Sequence, residues 1–385
     1  MNPVLHDILL TVRNTFLFLA EQLFRHFPIE DKIMFSNFYG RGLGDDPKYI
    51  YQYLKQIGTN AKLVWVVKNN SINVPEGVIK APYKSLAYVF HQCTSRVWVC
   101  NVKSEYKVKK REGQYYIQTW HATLGLKKVE AEVPSLATDY ISISQKDASI
   151  TDLMYANNDF ELNVYKNYFW YNGRVLKCDV PRLGILLNTP KELKKKVYDF
   201  FRIPKTKKII IYAPTFRKNA DISVFVWDFE KVIRSFEKRF SCDCIFLLRL
   251  HPNLARYASD IKYSERVLNA SSYPDMQELI ACSDFMINDY SSSMFDMGCT
   301  HKPVILYAPD FESYVSNDRG LEFNIEQLPF PLVKNVEDLC DIIETFDNSL
   351  YSNKCNEFYH SIGWEDSGHG AEMISKIIIN QLNKA

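Results

Sequence analysis

Short, nearly continuous apolar runs alternate along the chain with longer stretches in which apolar residues recur every three or four positions. The runs predict strands at 32–38, 62–67, 96–101, 115–119 and 140–144, and again at 207–212, 244–250, 284–288 and 303–307. The intervening stretches predict helices, among them 47–57 with Asp45 or Asp46 as its cap, 227–240 and 276–282. Strands apolar on both faces and separated by helices imply parallel sheets covered on both sides. The pattern occurs twice. A charged helical stretch at 191–202, ending before Pro204, puts the boundary between the two series near 188–206. The expected fold is α/β, with two Rossmann-like domains at 31–190 and 191–385 facing a central cleft. The last helix of the second is a candidate to cross back. No fixed-period repeat or low-complexity tract interrupts the pattern.

Residues 5–27 precede this alternation and are apolar enough to raise the question of a membrane span or targeting segment. His6, Asp7, Arg13, Glu21, Arg25 and His26 interrupt them, which a spanning helix resists, and no small-residue cleavage site follows. Wound at about 100° per residue, Asp7, Thr11, Asn14, Thr15, Gln22 and Arg25 share one face. Leu5, Leu9, Val12, Phe16, Leu19, Leu23 and Phe27 share the opposite one. Residues 1–30 are therefore expected to carry an amphipathic helix that either covers the core or lies on a membrane surface.

Composition narrows the class. A chain of 385 residues exceeds one ordinary core, and 46% hydrophobic with 24% charged residues describes a folded globular protein. A net charge of +2 is nearly balanced, so no nucleic-acid partner is expected. The 9 cysteines show neither CxxC nor zinc-knuckle spacing; Cys242 and Cys244 are only one residue apart. Free thiols in a reducing compartment are expected, with no metal and no disulfide framework.

In open parallel sheets, ligands sit beyond the carboxyl ends of strands, so the residues after each predicted strand carry the candidate chemistry. After 115–119 comes Trp120-His121-Ala122-Thr123, then Leu124-Gly125-Leu126-Lys127-Lys128. His121 is placed to take a proton near neutral pH, although an isolated histidine there is more often structural. After 207–212 come Thr215 and Arg217, and after 244–248 come Arg249 and His251 on one side of the strand end. Arginine forks suit phosphates, while a surface ion pair is the plainer alternative for each. After 284–288 the chain reads Asp289-Tyr290-Ser291-Ser292-Ser293 into a helix, whose free N–H groups and dipole favour an anion. Ser367-Gly368-His369-Gly370 opens a last helix as a second phosphate lip. There is no GxGxxG after the first strand, no GxxxxGK[ST] and no DxD pair, so phosphate charge is expected to be met without a metal or cofactor.

Taken in order, these segments resemble one family. Asp46-Pro47-Lys48-Tyr49-Ile50-Tyr51, Gln118-Thr119-Trp120-His121-Ala122-Thr123-Leu124, Tyr212-Ala213-Pro214-Thr215-Phe216-Arg217, Leu248-Arg249-Leu250-His251-Pro252 and Asn288-Asp289-Tyr290-Ser291-Ser292 follow the motif order of the CDP-glycerol glycerophosphotransferases, the teichoic-acid primases and polymerases. Ala122 and Leu124 depart from that family's HGTP, and His369 stands where it carries lysine. The resemblance implies a GT-B fold, an acceptor-side first domain and a donor-binding second one. It implies transfer of glycerol- or ribitol-phosphate from a CDP-activated donor to a hydroxyl of a lipid-linked or polymeric acceptor, releasing CMP.

Carried over by motif, His121 is the base. Thr215, Arg217, Arg249, His251, Asp289, Tyr290, Ser291, Ser292, Ser293 and His369 surround the donor phosphates, His251 with a catalytic part. Such an acceptor implies a cytoplasmic protein, peripheral on the inner membrane surface. The helix at 1–30 and the basic stretch Lys103, Lys107, Lys109, Lys110 and Arg111 fit that placement. An oligomer is compatible with the sequence. Two other readings stay open: a glycosyltransferase using a nucleotide-sugar, and a non-catalytic anion-binding scaffold.

Overall fold

In the computed structural model, which describes residues 3–103, 108–217, 223–317 and 320–384, the two series of apolar runs form two separate sheets. The first contains β1 (Glu30–Ser36), β2 (Lys62–Val67), β3 (Ile79–Pro82), β4 (Ser95–Cys100), β5 (Tyr115–Gln118), β6 (Leu153–Ala156) and β7 (Arg174–Lys177). Their order is β3-β2-β1-β4-β5-β6-β7. The second contains β8 (Lys208–Tyr212), β9 (Cys244–Leu248), β10 (Val267–Asn269), β11 (Phe285–Asn288), β12 (Val304–Tyr307) and β13 (Leu332–Val333), in the order β10-β9-β8-β11-β12-β13. Every pairing between these strands is parallel. In both sheets the chain starts in the interior, runs out to one edge, and returns to build the other side. The reversals fall between β1 and β4 and between β8 and β11. Crevices form at such points, beyond the carboxyl ends of the strands.

Helices α1 (Pro3–Phe24), α2 (Asp45–Gln56), α3 (Leu86–Thr94), α4 (Thr138–Ile150) and α5 (Asp159–Tyr168) accompany the first sheet. Alternation along its strands makes two buried faces. Ile33, Phe35, Trp65, Val97 and Val99 pack against Ile50 and Leu54 of α2 and against Ile374 and Ile378 of the C-terminal helix Gly370–Leu382. Met34, Val64, Val66, Trp98 and Tyr116 pack under Tyr88 and Val89 of α3 and Leu17 of α1. Full burial of one such side chain stabilises the fold by about 1.5–3 kcal/mol. Each face therefore needs its helix cover.

Several expectations change. Residues 140–144 belong to α4 rather than to a strand. The buried positions of α4 are Ser144, Asp147 and Ala148, at helical spacing, and the Tyr116 hydroxyl donates to Asp147 at 3.2 Å, so polar anchoring overrides the apolar run. The short strands β3, β6 and β7 carry too few residues to show a period of two. The cap of α2 is Gly44, not Asp45 or Asp46, and no side chain closes that end.

The apolar stripe of α1 points outward. Phe16, Leu19 and Leu23 are 56%, 60% and 61% exposed, and Leu9 and Val12 share that exposure. Leu17 and Glu21 face inward, Glu21 accepting the Lys109 N–H at 2.9 Å. Of the basic stretch, Lys107 lies outside the described residues. Lys103 is buried against Glu130 at 2.7 Å, Lys110 pairs with Asp152 at 2.5 Å, and Arg111 donates to the carbonyls of Phe27 and Cys93. Those charges hold the fold first. Among the described residues no helix is long and apolar enough to cross a membrane.

Candidate active site

The carboxyl end of β4 is organised by one asparagine. Asn101 donates from Nδ2 to Asn37 at 2.9 Å, and its Oδ1 accepts the Phe38 N–H at 2.9 Å. Its main-chain carbonyl stands 3.0 Å from His121 Nδ1. A carbonyl only accepts, so Nδ1 carries the hydrogen and the neutral ring keeps its lone pair on Nε2. The imidazole is half-buried, with the Trp120 ring at 4.1 Å and the Phe38 ring at 5.3 Å. Trp120 holds a left-handed backbone at φ 55°, a conformation an L-residue keeps only when its surroundings fix it.

Phe38 belongs to a glycine-rich loop after β1 that no phosphate fingerprint would flag. Gly40 has φ +86°, and a Cβ there would fall 2.5 Å from the Lys68 nitrogen, so only glycine lets this loop cross the end of β2. Arg41, exposed, follows directly.

In the second half, Asp289 is fully buried and ties two motifs together. It accepts the Thr215 N–H at 2.9 Å, the Thr215 hydroxyl at 2.7 Å and the Tyr290 N–H at 2.5 Å. Arg217 contacts Asp289 at 2.9 Å and Asp310 at 2.6 Å, and donates to its own Thr215 carbonyl at 2.7 Å. Two carboxylates thus occupy the fork expected to meet phosphate, and they hold the Arg217 pKa up. Tyr290 is buried as well, stacked on Tyr314 at 3.6 Å and 4°. Ser291, Ser292 and Ser293 are half-buried at the start of helix Ser293–Gly298, with the Ser291 and Ser293 hydroxyls 3.0 Å apart.

Arg249 differs from Arg217. It donates to the carbonyls of Ala270 at 3.1 Å and Tyr273 at 2.6 Å, and among the described residues no carboxylate contacts it. Burial lowers its pKa, the mark of a cation whose charge the fold leaves largely uncompensated. Burial also depresses the His251 imidazole, and Arg41 and Lys127 add to the effect. These two cations come from the first half of the chain. Their proximity to His251 exists only in the fold, and no sequence pattern links either of them to that ring.

The loop carrying His121 continues across to the second half. Lys128 N–H donates to the Gly320 carbonyl at 2.8 Å, Glu322 N–H donates to Leu126 at 2.9 Å, and Lys127 contacts the Tyr314 hydroxyl. Lys48 of α2 adds a buried bridge to Asp275 at 2.5 Å and Glu278 at 2.7 Å. The His369 N–H and that of Ser367 both donate to Asp179, at 2.9 and 3.0 Å. The lip expected there is filled by a carboxylate of the protein itself. All cysteines are free, and among the described residues no His, Cys, Asp or Glu cluster has the arrangement to hold a metal.

The chain is 30% identical over 361 residues to the teichoic acid poly(glycerol phosphate) polymerase of Staphylococcus epidermidis, covering 90% of this chain and 50% of that one. It is 27% identical to the polymerase of the same description from Bacillus spizizenii, covering 90% and 91%. This chain therefore spans about half the length of the first relative and most of the second. A solved structure of a single-site variant of the wall teichoic acid polymerase TagF superposes with a TM-score of 0.86 at 27% identity, over 99% of this chain and 96% of that one. A TagF variant soaked with CDPG superposes with the same score. With the family model matching from residue 19 to residue 380, the chain belongs to the CDP-glycerol:poly(glycerophosphate) glycerophosphotransferase family.

Proposed function

We propose that this chain transfers a polyol phosphate, glycerol- or ribitol-phosphate, from a CDP-activated donor to a hydroxyl of a lipid-linked or polymeric acceptor, releasing CMP. The observation that carries the reading is His121, whose Nδ1 hydrogen is committed to the Asn101 carbonyl. That leaves Nε2 to take the acceptor hydroxyl's proton. The acceptor oxygen bonds to the phosphorus bearing the polyol, the bond from that phosphorus to the bridging oxygen breaks, and CMP leaves with the electron pair. Such a step depends on positioning and on offsetting negative charge. Arg249 and His251 supply that charge, with Arg41 and Lys127 beside them. Ser291, Ser292 and Ser293 supply hydroxyl and N–H donors. Thr215, Arg217, Asp289 and Tyr290 shape the loops that present them.

The arrangement fits a GT-B enzyme, with residues 31–190 on the acceptor side and 191–385 on the donor side. The packing of Ile374 and Ile378 on the first sheet supports a final helix that crosses back. The outward stripe of α1 supports an interfacial helix in segment 1–30, holding the protein peripherally on the cytoplasmic membrane face where lipid-linked acceptors lie.

The test is a panel of CDP-glycerol, CDP-ribitol and nucleotide-sugars offered to the purified protein with an acceptor, read by released nucleotide. CMP from a CDP-polyol, lost on His121→Ala, is the expected result. Release of a nucleoside diphosphate from a nucleotide-sugar overturns it.

A further inference from the structure

The linker between the two sheets carries an arginine that no motif reading singled out. Arg182 follows β7 and is 3% exposed. Nη2 donates to the Thr123 hydroxyl at 2.5 Å, two residues beyond His121. Nη1 pairs with Asp45 Oδ1 at 2.7 Å. The other oxygen of Asp45 accepts Asn101 Nδ2 at 2.7 Å, and the Asn101 carbonyl holds the His121 ring. One guanidinium therefore reaches the histidine by two routes, along the chain through Thr123 and through space by Asp45 and Asn101. Its own N–H is fixed by Asp46 at 2.9 Å, and Asp46 also accepts the Tyr155 hydroxyl at 2.9 Å. The arginine cannot drift without dragging α2.

A third arm points at the donor half. Nε lies 3.5 Å from Asp296 Oδ2, on the short helix that follows Ser291 and Ser292. That is about half an ångström beyond hydrogen-bond length. Among the described residues Arg182 Nε and Asp296 Oδ1 have no hydrogen-bond partner, although both residues are buried. An unmade bond in a polar cluster this deep is costly, and a small approach of the halves along this contact gives Nε its partner.

We propose that Arg182 is the positioning residue of the base, holding His121 in register through Thr123 and through the Asp45–Asn101 pair while linking that register to the donor half through Asp296. The inference rests on the reading of His121 as the base. Arginine is required because three partners in different directions need a planar fork, and an ammonium serves one of them well at a time.

The test uses the full chain and the variants Arg182→Lys, Thr123→Val and Thr123→Ser, with and without His121→Ala. Thr123→Val leaves every charge in place, so it stays informative even where Arg182→Lys folds poorly. A misplaced base costs kcat about tenfold or more. Thr123→Val should lower kcat by that factor with KM for CDP-glycerol nearly constant, and Thr123→Ser should return most of it. On top of His121→Ala neither Thr123→Val nor Arg182→Lys should cause further loss, because they act through that ring. Long-range nitrogen–proton NMR of the histidine rings, assigned with His121→Ala, should show a single Nδ1–H tautomer in the parent protein and a mixture in Arg182→Lys. An unchanged kcat, a loss that persists undiminished in the His121→Ala background, or an unchanged tautomer in Arg182→Lys overturns the proposal. The NMR arm needs no turnover. If the parent protein releases no CMP, the transfer reading falls and the tautomer still decides the role of Arg182.

Discussion

His121 and Asn101 are joined through a ring nitrogen and a main-chain oxygen, 3.0 Å apart, so the tautomer of the histidine is set by backbone rather than by a carboxylate. The imidazolium formed on taking a proton has the Asn101 carbonyl dipole behind its Nδ1–H. His121→Ala removes the proton acceptor and should lower kcat by about 10²–10⁴-fold, the usual worth of general-base catalysis. Equilibrium binding of CDP-glycerol should be unchanged. Full turnover in the variant would assign the base elsewhere.

Asp289 and Arg249 should fail in opposite ways. The Asp289–Arg217 pair is buried on both sides. Removing one partner of a buried pair costs up to about 3–5 kcal/mol. The cost is less here because Asp310 still holds Arg217, while the Thr215 and Tyr290 donors lose their carboxylate. Asp289→Asn should therefore show first as a lower midpoint in chemical denaturation, with donor affinity falling only as the loop loosens. Equal stability with selective loss of donor binding would mean that Asp289 faces the ligand.

For Arg249→Met the order reverses. Hydrogen bonds to a charged group are worth about 1.5–3 kcal/mol, which corresponds to a ten- to hundredfold weaker Kd for the donor. The fold, in which the hydrogen bonds of Arg249 among the described residues go to two carbonyls, should lose less than the ligand does. Calorimetric titration beside a denaturation curve separates the two. A larger effect on the midpoint than on Kd would make Arg249 structural.

The contrast between these residues shows where the sequence is legible and where it stops. The strand ends at β8, β9 and β11 are visible because runs such as Ile209, Ile210 and Ile211 are unbroken, and the motifs follow directly on the carboxyl ends of the strands. The two arginines look alike in sequence, each just past a strand. Only the fold brings Asp310 onto Arg217 and leaves Arg249 with carbonyls. Asn101 escapes notice because its decisive atom is a main-chain oxygen, which every residue carries. The Lys48 bridge to Asp275 spans 227 positions, and no local pattern encodes a partner that distant. For α1 the two faces could be read by helical projection, but which one meets the protein is decided by the neighbours that Leu17 and Glu21 find.

Donor binding should take up a proton at His251. Its folded pKa is depressed, by burial first and then by Arg41 and Lys127. For a depressed group, the contribution to stability is complete above the ordinary value near about 6.5 and is lost as pH falls through the folded value. A pyrophosphate among these cations reverses the electrostatic part and draws the proton on. CDP-glycerol should then bind more tightly as pH falls from about 7.5 toward about 6.5, with uptake of up to one proton. Calorimetry in buffers of different ionisation enthalpy measures that uptake directly. Arg41→Gln should reduce it, because the ring starts nearer its ordinary range. Heats independent of the buffer would remove His251 from the phosphate site.

The stripe on α1 makes a prediction that separates binding from folding. Phe16, Leu19 and Leu23 are more than half exposed, so charge there costs the fold little, within about 0.5 kcal/mol for a surface position. In a bilayer interface the same side chains are buried, and each CH₂ contributes about 0.8 kcal/mol. The triple change of Phe16, Leu19 and Leu23 to glutamate should abolish co-sedimentation with phosphatidylglycerol vesicles while leaving the denaturation midpoint and CMP release with a soluble acceptor intact. Leu17→Glu, one helical step away but 3% exposed, should do the reverse and destabilise the fold. Retained vesicle binding in the triple variant would show that the stripe is not what meets lipid.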